Sequence, residues 1–218
     1  MKELYDKIYG LYNEISKIPM DSPKYFELYK EYIKLLILVS SNNPSFNDDV
    51  KKYVNGNCYS YAFDIFNPDG ISNVILQLGL NVGYLSRNLV FKGTPEKYLY
   101  GLAKDFEELN IDSYETGVDL PNNHGGYKIA FYLSFNDFHF LRQNSDGSWS
   151  HKVGYLNRID KFDTLPKTVN GNYELIRTLE IVKPKVRQNK RFLTNYLLFF
   201  LIKWYTLVSK DEVNESKI

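Results

Sequence analysis

The chain has 218 residues, which is enough for one domain with a complete hydrophobic core. Its formal net charge is +1, so the composition as a whole gives no reason to expect nucleic-acid binding. The single cysteine excludes an intrachain disulfide and the common multi-thiolate zinc sites, and it favours a reducing compartment.

Two amphipathic helices are predicted at the amino-terminal end. Apolar side chains recur every three to four positions from Leu4 to Ile18, which is the period of an α-helix with one buried face. Pro23 follows an Asp-Ser pair, which is a typical helix start, and the apolar pattern then continues to about Val39. We therefore expect a helical hairpin over residues 1–43.

The sequence predicts one α+β domain over residues 44–183. Cys58 begins a short apolar helix behind a turn-prone Asn-Gly-Asn triplet, and Pro95 marks the start of another helix that ends near Leu109. From Tyr127 onward, aromatic and β-branched residues predominate, as is typical of strands. Strands are predicted at residues 127–135, 137–143, 148–154 and 173–182.

Residues 184–218 are predicted to form a third region, with a basic segment and an apolar helix. Residues 192–208 are apolar except for Lys203 and a few small polar residues. One interpretation is a terminal helix that packs on the domain, and the other is a tail anchor or interfacial helix assisted by the preceding basic residues. Because the first residues lack the pattern of a signal peptide, we expect a cytoplasmic protein, with membrane association through residues 192–208 as the alternative.

Cys58 and His139 are the candidate nucleophile and base. A cysteine reacts as its thiolate, and a helix amino terminus or an adjacent imidazolium lowers the pKa of the thiol. The sequence predicts both features, since Cys58 begins a helix behind a glycine-containing turn and His139 begins a later strand. The backbone amides at the helix start are also candidate donors to an oxyanion.

His151 is the candidate that orients His139, and the pairing of their strands decides whether it can do so. If residues 145–147 form a three-residue hairpin loop with Gly in the left-handed conformation, the two histidines are diagonal neighbours on one face of the sheet. A loop of two or four residues turns His151 to the other face. In that case Ser150 or Lys152 flanks His139.

These residues carry a resemblance to a known superfamily. A cysteine at a helix start, a histidine at the start of a later strand and a polar residue on the next strand together resemble the papain-like cysteine peptidases. A second histidine twelve residues after the first is similar to the NlpC-type cell-wall peptidases. The segments NCYSYAFD and DFHFLRQNSDGSWSHKVG also resemble uncharacterised papain-like proteins of bacteria and large DNA viruses. The similarity covers residues 56–154, under half of the chain.

The resemblance implies a papain-like α+β core in which Cys58 lies at a helix start that packs on an antiparallel sheet. It also implies a thiol hydrolase, a peptidase or amidase, that forms an acyl-enzyme on Cys58. His139 is then the base and His151 orients it. The implied substrates are peptides, isopeptides or acyl compounds, with neither a metal nor an organic cofactor and with no nucleic acid as partner.

Four further residues are weaker candidates for substrate binding. Papain-type enzymes carry a glutamine shortly before the cysteine as an oxyanion donor, and this chain has Lys and Tyr residues in that region. Asn55 and Asn57 are the nearest amide side chains that can replace it. Asp137 and His124 lie near His139 in the sequence and are candidates to line the cleft.

Other interpretations stay open at this point. A single cysteine in an apolar helix is more often a small buried core residue, and a histidine between two phenylalanines is more often a half-buried strand residue. The chain is then a non-catalytic interaction protein or a virion-type structural protein. A third interpretation is a lipid acyl-hydrolase or acyltransferase of the same superfamily, which suits a membrane-associating tail.

Overall fold

A computed structural model of the chain describes residues 1–68, 78–135, 137–154, 156 and 158–185. Within these residues the helices are α1 (Lys2–Ile15), α2 (Pro23–Val39), α3 (Cys58–Ala62) and α4 (Pro95–Leu109). The strands are β1 (Asp112–Glu115), β2 (Tyr127–Leu133), β3 (Phe138–Gln143), β4 (Trp149–Lys152), β5 (Ile159–Phe162), β6 (Thr168–Val169) and β7 (Tyr173–Val182).

The strands form one antiparallel sheet in the order β1-β7-β2-β3-β4-β5, and β6 pairs with β7. The predicted α+β class is therefore confirmed. The predicted strands correspond to β2, β3, β4 and β7, whereas β1, β5 and β6 are short strands that the sequence pattern does not indicate. The two central strands, β2 and β3, are buried almost throughout, so the sheet has protein on both faces there.

The amino-terminal hairpin is present as predicted. Helix α2 begins at the proline expected from the sequence, and its N-cap Ser22 accepts a hydrogen bond from the backbone N–H of Lys24 at 3.2 Å. The buried Tyr32 hydroxyl donates to Asn67 Oδ1 at 2.7 Å, which attaches α2 to the segment that follows α3. Met1–Pro184 form one compact unit that includes the hairpin.

An aromatic core holds α3 between α4 and the sheet. The Tyr59 ring lies edge-on to Phe140 of β3, with 5.2 Å between ring centroids, and Phe63 contacts Phe106 of α4 at 5.5 Å. All four rings are buried. Because edge-to-face rings pack closely in a core, these contacts fix the position of the short helix relative to β3.

The part of the chain that the structure describes contains no helix with the length and hydropathy needed to cross a bilayer. The apolar helix predicted at residues 192–208 lies outside the described residues.

Candidate active site

Cys58 is the first residue of α3, where the sequence predicts it. The side chain of the preceding residue, Asn57, caps the helix, since its Oδ1 accepts from the backbone N–H of Ser60 at 3.2 Å. The helix has only five residues, so its dipole contributes little to the site. Its role is to present the sulfur to the adjacent strand, where the backbone amide of Phe140 in β3 lies close enough to lower the pKa of the thiol.

His139 and His151 contact each other through the strand pairing that the hairpin loop predicts. Arg142 of β3 lies opposite Ser150 of β4, and Gly147 in the loop has φ of +85°. This register places both histidines on one face of the sheet. His139 Nε2 and His151 Nδ1 form a hydrogen bond, and the ring planes are nearly perpendicular, at 85°. The prediction that the two imidazoles touch is confirmed.

The pair leaves one ring nitrogen of His139 for the nucleophile. Since Nε2 is bound to His151, Nδ1 is the ring nitrogen that this hydrogen bond leaves for the nucleophile. The Cys58 sulfur lies near the backbone amide of Phe140, the residue immediately after His139, and we refer to Cys58, His139 and His151 together as the cluster. All three side chains are buried, with exposed fractions of 4% for Cys58, 5% for His139 and 1% for His151.

Burial reverses the charge state that the sequence predicts for this cluster. Removal from solvent raises the pKa of Cys58 to about 12, against the lowering effect of the Phe140 amide. Burial, together with the neighbouring His151, lowers the pKa of His139 to about 3. The resting pair is therefore a neutral thiol and a neutral imidazole, and the expected thiolate–imidazolium pair is not its resting form.

Asp160 is a member of the cluster that the sequence analysis missed. It lies opposite His151 in the β4–β5 pairing, and its Oδ2 is 3.5 Å from His151 Nε2. Arg158 in turn donates to the same carboxylate, with Nη2 to Oδ2 at 2.6 Å and Nε to Oδ1 at 2.9 Å. The only local indication in the sequence was Arg158-Ile159-Asp160. In a strand, this spacing places the side chains of Arg158 and Asp160 on the same side of the sheet, but it does not indicate which residues of the neighbouring strand they contact.

The two candidate amide donors have different roles. Asn57 uses both of its side-chain polar atoms within the fold, because its Nδ2 donates to the Leu80 carbonyl at 2.8 Å while its Oδ1 caps α3. Asn55 Nδ2 is buried, and no hydrogen-bond partner is present for it among the described residues. An unpaired buried donor is unusual, so of the two residues Asn55 is the one whose side chain can donate a hydrogen bond to a bound group.

Asp137 lies beside the cluster. Its carboxylate accepts from the Tyr173 hydroxyl at 2.7 Å and from the backbone N–H of Phe138 at 2.8 Å. The Tyr173 ring is 5.5 Å from the His139 ring, centroid to centroid. Tyr173 was not predicted as a site residue. Burial and the hydrogen bond to Asp137 raise the pKa of Tyr173 to about 12, so its hydroxyl stays a proton donor at the edge of the site.

His124 lies away from the cluster, at the other end of the sheet. Its ring stacks on Tyr114 with 3.6 Å between centroids, and its Nδ1 is 3.0 Å from Glu180 Oε2. Glu180 is five residues along β7 from Leu175, the residue in register with the His139 end of the sheet, which is roughly 17 Å along the strand. His124 therefore organises the loop before β2 and does not line this site.

Two further observations concern metal binding and related proteins. Across residues 1–68, 78–135, 137–154, 156 and 158–185, no three His, Cys, Asp or Glu side chains are grouped as a metal site requires. Comparisons with protein-family models, with curated proteins and with solved structures find no match.

Proposed function

We propose that this chain is a thiol hydrolase, a peptidase or amidase, in which Cys58 is the nucleophile and His139 the base. The observation that carries the proposal is the hydrogen bond between His139 Nε2 and His151 Nδ1, where His139 immediately precedes the residue whose backbone amide lies near the Cys58 sulfur. A nucleophile, a base and a group that orients the base are the general signature of covalent catalysis. The papain-like pattern of the sequence supports the same assignment.

The reaction begins from the neutral pair. As the Cys58 sulfur attacks the substrate carbonyl carbon, its proton moves to His139 Nδ1, and the carbonyl oxygen takes up the negative charge. His139 then returns the proton to the leaving amine as the carbon–nitrogen bond breaks, which leaves an acyl-enzyme thioester. Water, deprotonated by His139, attacks the thioester and restores the thiol. This general-base route needs no preformed ion pair, which agrees with the raised pKa of Cys58 and the lowered pKa of His139.

Donors to the oxyanion are available on the nucleophile's side of the site. The backbone amides of Cys58 and Tyr59 lie close enough to the sulfur to lower the pKa of the thiol. The buried Nδ2 of Asn55, three residues before the nucleophile, is a donor without a partner among the described residues. Such preorganised donors stabilise the charge that develops on the carbonyl oxygen.

A non-catalytic interaction protein on the same scaffold is the second candidate. The observation that favours it is the burial of Cys58, which is 4% exposed and whose pKa is raised. A buried cysteine with a raised pKa is an ordinary small core residue. In this case the contact between the two histidines has a purely structural role, and His139 has no effect on the chemistry of the sulfur.

Acylation of Cys58 by p-nitrophenyl acetate distinguishes the two candidates. Because the chain has one cysteine, iodoacetamide labelling of the thiol reports on Cys58. In mass spectra of the intact protein, the acetyl group that is present in the wild type and absent in Cys58→Ala is the thioester, and any acetylation of lysines is common to both. We expect a thioester in the wild type, its loss in Cys58→Ala, and acylation slower by roughly 10²- to 10⁴-fold in His139→Ala. His124→Ala is the matched control and should acylate at the wild-type rate, since this histidine lies at the other end of the sheet.

Equal acylation rates in the wild type and His139→Ala, together with an alkylation profile that does not depend on His139, contradict the hydrolase proposal. Iodoacetamide then decides how Cys58 behaves. An alkylation profile that rises only at alkaline pH, with the same midpoint in both proteins, identifies a core thiol and supports the non-catalytic candidate. A profile that depends on His139 supports the hydrolase, even where p-nitrophenyl acetate is a poor substrate.

A further inference from the structure

The carboxylate of Asp160 faces a buried ring nitrogen of His151. His151 Nε2 is buried, and within the described part of the chain it makes no hydrogen bond of good geometry. Asp160 Oδ2 lies 3.5 Å from it, across the β4–β5 pairing. The other nitrogen of His151 is bound to His139. The contacts therefore run from Asp160 through His151 to His139.

We propose that Asp160 is a positioning residue that fixes the tautomers of both histidines and so makes His139 Nδ1 able to accept the proton of Cys58. The inference rests on the proposed role of His139 as the base. It adds a fourth member to the site, and Asp160 acts only through His151, without contact with the substrate.

Two arrangements of protons satisfy the hydrogen bond between the histidines. In the first, His139 Nε2–H donates to the lone pair of His151 Nδ1, and His151 carries its own proton on Nε2. In the second, His151 Nδ1–H donates to the lone pair of His139 Nε2. A neutral imidazole holds a single ring proton, so each arrangement fixes both rings completely.

Asp160 selects the first arrangement. There, His151 Nε2–H points at a carboxylate, which is a favourable charge-assisted contact. In the second arrangement, the lone pair of His151 Nε2 faces the negative carboxylate, which is unfavourable in a buried site. The first arrangement leaves His139 Nδ1 without a proton and able to accept one from Cys58, whereas the second places a proton on Nδ1 and blocks the base.

Arg158 holds the carboxylate in this position. Its guanidinium binds both oxygens of Asp160, and the Asp160 side chain is 30% exposed, at the boundary between His151 and solvent. Partial burial raises the pKa of Asp160, but the hydrogen bond and charge of Arg158 and the contact with His151 lower it by more. The net effect is a lowered pKa, so the carboxylate stays ionised. Among the described residues, the groups around His151 include His139, Asp160, Arg158 and the ring of Phe162, and within this set Asp160 is the anion.

Asp160 takes up no proton in the catalytic cycle. When the proton of Cys58 reaches His139 Nδ1, His139 becomes an imidazolium and its Nε2–H continues to donate to His151. The carboxylate stabilises this cation through the neutral His151 ring, in the way that a buried aspartate orients the histidine of a serine-protease triad.

Nitrogen-15 NMR of the full-length protein tests the proposal without any substrate. The chain has three histidines, so long-range proton–nitrogen correlation spectra, assigned with His124→Gln and His151→Gln, give the tautomer of each ring. We expect His139 and His151 both to carry the proton on Nε2 in the wild type. In Asp160→Asn the carboxamide N–H can donate to His151 Nε2, so we expect the His139 proton to move to Nδ1 in at least part of the population. Acylation of Cys58 by p-nitrophenyl acetate should then fall by at least about 10-fold.

Asp163→Asn is the matched control, because it removes the same charge from an exposed aspartate three positions further along the chain. It should leave both tautomers and the acylation rate unchanged. A wild-type spectrum with the His139 proton on Nδ1, or unchanged tautomers in Asp160→Asn, overturns the role of Asp160. The wild-type spectrum alone provides this test if Asp160→Asn does not fold. If both tautomers are as expected but Cys58 neither acylates nor shows a His139-dependent alkylation profile, the assignment of Asp160 stands and only the hydrolase is refuted.

Discussion

Arg142 of β3 and Asp64, two residues after the end of α3, form an ion pair with 2.9 Å between Nη1 and Oδ1. Their side chains are 0% and 7% exposed. Arg142 Nη1 also donates to the carbonyl oxygen of Tyr61 at 3.1 Å, and Nη2 donates to that of Ser45 at 3.1 Å. Asp64 has φ of +53°, a left-handed conformation that aspartate tolerates better than most residues. The pair thus joins the helix of Cys58 to the strand of His139.

Removing one member of this pair should be strongly destabilising. Asp64→Ala leaves the Arg142 guanidinium buried without its counter-charge, and we expect a loss of about 3–5 kcal/mol in the free energy of unfolding. Glu27→Ala is a suitable control, because it breaks the exposed Arg87–Glu27 pair and should change stability by less than about 1 kcal/mol. Urea denaturation measures both. Similar small changes in the two variants contradict a structural role for the buried pair.

Acid should lower the free energy of unfolding, because His139 takes up a proton when the chain unfolds. Its pKa is about 3 in the folded protein, because of burial and the adjacent His151, against 6.5 for an ordinary histidine. Between these values the unfolded chain binds the extra proton, so stability is complete above about pH 6.5 and is lost as the pH falls. One such histidine accounts for about 2 kcal/mol between pH 6.5 and pH 5.

The variant His139→Gln measures this contribution. Its free energy of unfolding should change less between pH 6.5 and pH 5 than that of the wild type, whatever its stability at neutral pH. A wild-type His139 ring whose NMR signals titrate with a midpoint near 6.5 contradicts the lowered pKa.

The elements that could be predicted from the sequence are those fixed by local patterns. The apolar period and the proline starts predict α1, α2 and α4 to within a few residues. A glycine at the last position of a three-residue loop determines the β3–β4 register, and that register alone brings His139 beside His151. Most of the candidate site therefore depends on short-range information.

What could not be predicted depends on the tertiary structure. Strand β5 has the sequence IDKF, without a clear alternation, so the partner of His151 on that strand was not found. The pKa of Cys58 follows from complete burial, which no property of the five-residue helix predicts. The sequence likewise does not indicate that Asp64, 78 positions earlier, neutralises the buried Arg142.

The left-handed conformation of Gly147 in the hairpin loop can be tested by comparing two glycine-to-alanine substitutions, at sites with different backbone conformations. A Cβ at either Gly147 or Gly10 meets no atom within 4 Å. Gly147 has φ of +85°, so Gly147→Ala should cost about 1–2 kcal/mol. Gly10 lies inside α1, where alanine is favoured, so Gly10→Ala should stabilise by up to about 1 kcal/mol. Thermal denaturation of the two variants should show shifts of opposite sign, and shifts of the same sign refute the strained glycine at the loop.

Replacement by alanine should lower the free energy of unfolding at Asn57 but not at Asn55. Asn57→Ala removes the cap of α3 and leaves the Leu80 carbonyl without its donor, which should lower stability by about 1–2 kcal/mol. Asn55→Ala removes a buried amide donor that has no partner among the described residues, so the free energy of unfolding should stay the same or rise.

The rate of Cys58 acylation by p-nitrophenyl acetate then distinguishes a catalytic role from a structural role at these two positions. If Asn55 Nδ2 binds the oxyanion, Asn55→Ala should acylate roughly 10²- to 10³-fold more slowly in a protein as stable as the wild type. Asn55→Gln, which keeps the amide donor on a longer side chain, should recover part of the rate. Wild-type acylation in Asn55→Ala assigns the oxyanion to backbone amides, of which those of Cys58, Tyr59 and Phe140 lie beside the sulfur.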